Sequence, residues 1–364
     1  MVTKNPGANL VRQYGRERWT AALATTLIIL LFGCGDSAVS TDNACTVLAQ
    51  AQCSRRQVCA DTVAGQGATA TYPDGVYLLK NYGDMATCLA RQKLACVNSV
   101  SAPGTGTSPS QVEKCAAEFA TWSCVDLFDN GANPPPDCAL PGKLANGDVC
   151  AFAGQCASRF CSGTKNASCG ICANQPIAGT SCATSGCAPG QSCKTESSGD
   201  MLCRDRLVVG DVTCTSDTVC DAFSSCVGAS TSDPTKSGVC TASSNSVGAV
   251  CGGTSPGCMG DLGLTCLGAA GAKTCQTVAY VRAPAACATL ADGSRADCVA
   301  GDCFTPGAPA AASDTNATCL AKVQDGAACD TQTGPHCLLP ARCVIPAGGT
   351  TTGTCVVPLA SLCN

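Results

Sequence analysis

The sequence predicts a small disulfide-rich fold, with a short helical, cysteine-stapled N-terminal domain followed by an array of cysteine-rich repeats made of loops and short β ribbons. Three observations predict it. The 364 residues include 35 Cys, a density near one in ten that marks a disulfide scaffold. Aromatic residues make up only 4%, and beyond Phe128 large apolar side chains are too sparse for a deep core. The cysteine spacing also changes character after Cys138, from wide gaps to short recurring ones.

A hydrophobic fraction of 45% overstates the core, because Ala and Cys supply much of it and bury little area each at roughly 25 cal/mol per Å². Cross-links must then hold the second half. They restrict the unfolded chain, each contributing on the order of 2–4 kcal/mol without simple additivity, and they need an oxidising compartment. The first 33 residues carry Lys4, Arg12, Arg16 and Arg18 against Glu17, so their removal takes the formal charge from −4 to 18 − 25 = −7. An acidic chain with few aromatics excludes nucleic acid as a partner, since that binding draws on basic patches and stacking platforms.

The N-terminus has the layout of a signal peptide. A basic stretch ends at Arg18, and Trp19 to Phe32 runs without a charge, too short for a membrane span of about 20 apolar residues. Leu31-Phe32-Gly33-Cys34 follows and resembles the bacterial lipobox, with Phe32 departing from the small or aliphatic residue usual there. The resemblance implies cleavage after Gly33, with residues 1–33 as signal, and acylation of Cys34, whose several chains anchor stably where one is marginal. Gly35 in place of Asp implies the outer membrane under the enterobacterial sorting rule. Residues 34–41 form a tether of roughly 20 Å. A plain secretory signal cut elsewhere is the other reading. Setting Cys34 aside leaves 34 cysteines, an even number.

Residues 42–140 read as helical. Ser110 and Glu113 form a capping-box pattern ahead of Val112, Cys115, Phe119 and Trp122 at helical spacing. Asp84 can cap the segment MATCLARQKLAC, where Cys88 and Cys96 lie eight apart on one stripe. Cys45 and Cys53 do likewise in a first segment after Asp42. Three short helices are expected, with Tyr72, Tyr77 and Tyr82 in the loop between the first two. The eight cysteines here, Cys45, Cys53, Cys59, Cys88, Cys96, Cys115, Cys124 and Cys138, allow 105 connectivities.

Residues 141–364 read as six repeats, each opening with Gly or Pro a few residues before a Cys. The first holds Cys150, Cys156, Cys161, Cys169 and Cys172. The next five hold Cys182, Cys187, Cys193 and Cys203; Cys214, Cys220, Cys226 and Cys240; Cys251, Cys258, Cys266 and Cys275; Cys287, Cys298, Cys303 and Cys319; and Cys329, Cys337, Cys343 and Cys355, with Cys363 left at the terminus. All of these are expected to form disulfides. Starts recur every 32 to 42 residues, the mark of an array whose units touch mainly their neighbours. Gly, Ser, Thr, Ala, Asp and Pro between the cysteines favour turns and short two-stranded ribbons. The stretch GDVC, GQC, SRFC, CGIC between Asn146 and Cys172 resembles the Dickkopf N-terminal and EB-type modules of animal extracellular proteins. The whole layout resembles the cysteine-rich lipoproteins of myxobacteria. Neither resemblance implies a defined activity.

Catalytic and metal chemistry find little footing. The single His336 lies in a repeat loop and reads as a surface residue, since one His supplies neither an ordinary Cys/His zinc site nor a base with a partner nucleophile. Cys169-Gly-Ile-Cys172 has the C-x-x-C form of redox enzymes but no βαβ unit around it, so it reads as structural. Zinc or iron–sulfur ligation is disfavoured in an exported chain. Asp126, Asp129 and Asp137 with Asn130 suggest calcium, yet their spacing does not match an EF-hand loop. No G-x-S-x-G, H-E-x-x-H or Gly-rich phosphate loop occurs. We therefore expect no catalytic residues, no cofactor and no metal. The expected protein is a noncatalytic, lipid-anchored envelope or cell-surface protein whose array binds an extracellular or envelope protein or polysaccharide, or acts as a spacer. The rival readings are a secreted or surface protease-inhibitor-like or toxin-like module, and an enzyme hidden in the helical region.

Overall fold

The computed structural model describes residues 39–364 apart from 65–74, 130, 164–165, 184–185, 197, 216–217, 231–232, 234–235, 270, 306–307, 310–313, 316 and 364. The signal segment, Cys34, Tyr72 and Asn130 lie outside the described residues.

Helices come first because this is where bulky side chains and caps coincide. α1 (Thr41–Ala64), α2 (Val76–Asn81), α3 (Met85–Val100), α4 (Pro109–Phe119) and α5 (Cys124–Phe128) are the α-helices among the described residues. Asp84 caps α3 as expected, its side chain accepting from the Thr87 N–H at 2.7 Å. The capping box of α4 is two residues earlier than expected. Ser108 and Gln111 exchange the two bonds, with Pro109 at the first helical position. Proline lacks the N–H that would go unused there, which favours this start over Ser110. The expected count of three short helices is too low, and α1 alone runs 24 residues. Tyr77 lies within α2 and Tyr82 at its C-terminal cap, not in an open loop.

Cys45 bonds Cys96 and Cys53 bonds Cys88. The eight-residue spacing on α1 is matched in reverse on α3, so the two helices run antiparallel with rungs about 12 Å apart. Cys59–Cys124 ties α1 to α5, and Cys115–Cys138 ties α4 to the turn Pro136–Cys138. Leu48, Val112, Phe119 and Leu127 pack among these sulfurs, with Trp122 edge-on to Phe119 at 4.9 Å.

The repeat units share one plan. In each, the third and fourth ribbon cysteines stand directly opposite across antiparallel strands: Cys161 and Cys172, Cys193 and Cys203, Cys226 and Cys240, Cys266 and Cys275, Cys303 and Cys319, Cys343 and Cys355. They do not bond each other. Opposite residues present their side chains on the same face, so the pair offers two adjacent sulfurs that the first and second cysteines of the unit reach from the preceding segment. First bonds third and second bonds fourth, as in Cys182–Cys193 with Cys187–Cys203 and Cys329–Cys343 with Cys337–Cys355. The same pattern gives Cys150–Cys161 and Cys156–Cys172, Cys214–Cys226 and Cys220–Cys240, Cys251–Cys266 and Cys258–Cys275, and Cys287–Cys303 and Cys298–Cys319.

The glycine that opens most units has a structural reason. Gly147, Gly179, Gly210, Gly248 and Gly326 all have positive φ, and each donates its N–H to the carbonyl of its unit's last cysteine at 2.7–2.8 Å. That cysteine's N–H returns to the residue after the glycine. In the fifth unit Pro284 occupies the position, has no N–H, and only the return bond from Cys319 to Ala285 remains. The ribbons are often wider than two strands: strands between Ala279 and Ala321 form a six-stranded sheet, and the first, second, third and sixth units contribute to three-stranded ones.

The units also do more than touch their neighbours. Gln155 of the first donates to the Pro103 carbonyl at 2.7 Å, and Gly190 of the second packs on Ala132. Ala222 N–H of the third donates to Asp129, and Phe223 meets Phe128 edge-on. The turn at Gly260–Leu262 in the fourth contacts α1 and α2, Ala300 N–H of the fifth donates to Leu79, and Leu338 of the sixth is buried with Leu78 and Tyr82. Cys169 pairs with Cys363, 194 residues away, and Ile345 N–H donates to Asn166 at 3.2 Å. The array is therefore a closed ring around a helical hub, and residues 39–364 form one compact unit. An array whose units touch mainly their neighbours had been the expectation. The small units bury little area alone, and the hub supplies the missing apolar surface.

Candidate functional site

Where α2 meets the fourth and fifth units, a cleft of about 480 Å³ opens, within the usual range for small-ligand sites of about 300–1,000 Å³. Tyr77 and Lys80 come from α2, Asp261 from the turn Gly260–Leu262, Tyr280 from the strand Ala279–Val281, and Arg295 and Asp297 from the strand Arg295–Cys298. Arg295 and Asp297 share a face because strand side chains alternate. Asp297 is shared by two cations: Lys80 Nζ lies 3.2 Å from Oδ2 and Arg295 Nη2 lies 3.2 Å from Oδ1.

Asp261 differs. Burial pushes its carboxyl above the usual range, with Lys80 and Arg206 attracting it only through space. Its side chain is half-buried, and no hydrogen bond to it is formed among the described residues.

The walls are set by packing. Arg56 sits over the Tyr77 ring at 5.1 Å and Phe128 meets it edge-on at 5.6 Å. Gly263 has φ +71°, and a Cβ there would lie 3.1 Å from Val76 and 3.3 Å from the Tyr280 ring. Only glycine lets α2 and Tyr280 approach the same backbone.

A second cleft of about 310 Å³ lies over α1, α3 and α4, but it is floored by hub core residues such as Leu48 and Val112. A third, about 360 Å³, is lined by Asp84, Arg282 and Lys322. Burial lowers the pKa of Lys322, which donates to the Lys80 carbonyl and to Asn81 at 3.4 Å.

The residues singled out from the sequence have other places. His336 is not a free surface residue. Its Nδ1 lies 3.0 Å from Asp302, its ring stacks edge-on to Phe304 at 5.3 Å, and its carbonyl accepts from Val323, so it latches the fifth unit to the sixth. The bond to Asp302 raises the His336 pKa against burial. Cys169 and Cys172 belong to different bonds, with Cys363 and Cys156. Asp129, 4% exposed, pairs with Arg206 and accepts from the Ala222 N–H, whereas Asp126 accepts from Asn133. Sulfurs crowd within 4.8 Å in unit after unit, as adjacent closed bonds without thiolates to hold a metal.

Sequence reasoning passed over Lys80, Asp261, Tyr280, Arg295 and Asp297. Two signals were available. Tyr280 is one of five aromatics beyond Phe128, and Arg-Ala-Asp at 295–297 puts opposite charges two apart in a chain only 13% charged.

No helix among the described residues is long and apolar enough to cross a membrane. The 17 disulfides, from Cys45–Cys96 to Cys337–Cys355, are those of an exported chain. No protein-family model, curated protein or solved structure matches this sequence.

Proposed function

We propose that the chain is a noncatalytic, lipid-anchored envelope protein that holds a rigid disulfide ring close to a membrane surface and binds an extracellular or envelope partner there. The observation that carries this reading is the closed ring, taken with the lipobox-like address in the sequence. Leu31-Phe32-Gly33-Cys34 supplies the one cysteine beyond the 34 that pair. A preformed ring cross-linked within each unit resists proteolysis and loses little entropy on binding. The layout resembles myxobacterial cysteine-rich lipoproteins, and that likeness supports an outer-membrane or surface position.

Intact mass of the membrane-extracted protein, before and after reduction, tests this. The expected chain begins at Cys34, carries acyl mass there, and takes up two hydrogens for each of 17 bonds. A chain without acyl mass removes the anchor, and free thiols in the native material remove the exported scaffold with it.

A further inference from the structure

The 480 Å³ cleft at the hub–ring junction combines features that the ring's construction does not need. Among the described residues half-buried Asp261, which lines the cleft, has no hydrogen-bond donor. Lys80 and Arg295 each spend one contact on Asp297, while an ammonium has three N–H donors and a guanidinium five. The cleft therefore holds an acceptor waiting for donors beside donors waiting for acceptors. Two cations face two carboxylates, so no net charge selects a polyanion or polycation. The Tyr77 and Tyr280 rings add apolar faces with a polar tip.

We propose that this cleft binds a neutral saccharide segment. A sugar hydroxyl donates to Asp261 and accepts from Lys80 or Arg295 in the same pose, which a simple ion cannot do. The C–H face of the sugar lies against a tyrosine ring. Opposite charges a few residues apart would equally attract a zwitterion, but both cations already pair with Asp297. What remains unsatisfied is hydrogen-bonding capacity, the chemistry of hydroxyl groups. This inference rests on the reading of the ring as a binding module, and it names the partner class.

The test titrates the full mature chain, extracted in detergent, against neutral oligosaccharides of glucan, mannan, galactan and N-acetylhexosamine type, with uronic and sulfated oligosaccharides and free dipeptides in parallel. Binding of at least one neutral class is expected, weakened about tenfold or more by Asp261→Asn and by Arg295→Met, and unchanged by Lys143→Met on the exposed surface away from the cleft. Helical circular dichroism and intact disulfide count check that each variant folds. Arg295→Met leaves the Lys80–Asp297 pair in place should Asp261→Asn disturb the turn. Preference for dipeptides or for anionic sugars overturns the proposal, as does neutral-sugar binding indifferent to both variants, or none at all. Acyl mass on Cys34 reads the anchor alone, so the two readings fail separately.

Discussion

The helical hub and the ring are built from the same cysteines in opposite ways. In the hub, disulfides span 23 to 65 residues and join helices that already bury Leu48, Val112, Phe119 and Leu127. In the ring, apart from the closing bond, they span 11 to 21 residues, and in the first and third units the fully buried cluster is cysteine alone. The hub thus has a core that cross-links reinforce. In the ring the cross-links are the core. A pair of bonds lying side by side across a ribbon replaces the side chains that a unit of some 25 residues could not shield from water.

Removing one bond from each region should separate the two cases most widely. Cys53→Ala with Cys88→Ala is expected to lower hub stability by about 2–5 kcal/mol, read by urea unfolding of the helical signal, while the native helices persist. Cys220→Ala with Cys240→Ala should instead melt the third unit locally. Limited proteolysis would then cut within 214–240 with the helical signal unchanged. If that unit keeps its protection, the contrast is wrong.

The seam between the regions comes next. Arg206→Ala leaves Asp129 buried with only the Ala222 N–H and is expected to cost about 3 kcal/mol. Burial holds the Asp129 carboxyl above its ordinary 3.8. Such a group favours the folded state fully below 3.8 and loses that contribution as pH rises through the raised value. The penalty should therefore grow as pH rises from about 4, and Asp129→Asn in the same chain should recover most of it. Urea titrations at pH 3.5 and 7 measure both.

Arg91 is 8% exposed, bidentate to Asp325 at 2.7 Å, and donates to the carbonyls of Leu338 and Leu339. Arg91→Ala should cost about 2 kcal/mol, since Asp325 can rehydrate but the carbonyl of buried Leu338 cannot. Arg91→Lys should not restore it, because a single ammonium cannot reproduce the fork. Hydrogen exchange at 325–339 locates the loss.

The smallest effect is expected at the latch between units five and six. The Asp302 bond raises His336, so its contribution is full below 6.5 and fades as pH rises through the raised value. Burial raises Asp302, but the His336 bond and the attraction of Lys322 outweigh it, so its contribution holds above 3.8 and fades as pH falls through the lowered value. The latch should be strongest between about pH 4 and 6.5. Both side chains are 36% exposed, which limits His336→Ala to roughly 0.2–1 kcal/mol. A stability difference that is flat from pH 3 to 9 would remove the latch.

Much of the scaffold was legible along the chain. Cysteine density, the shift in spacing at Cys138, the cap at Asp84 and the eight-residue cysteine intervals are local signals, and the local chemistry of helices and turns honours them. The opening glycine of five of the six units was visible too, although its reason, a bond to the unit's last cysteine, was not.

The sequence by itself determined that sulfur holds this protein together, because no other residue type is both frequent and able to link distant segments. Only the tertiary structure decided which sulfurs meet: 34 cysteines look alike in a list, and pairing depends on which strands stand opposite. It also decided that Cys169 meets Cys363, closing an array into a ring, and that Lys80, Asp261, Arg295 and Asp297 share a cleft. Lys80 and Asp297 lie 217 residues apart, and no local pattern encodes a contact at that range. Burial against the hub creates it.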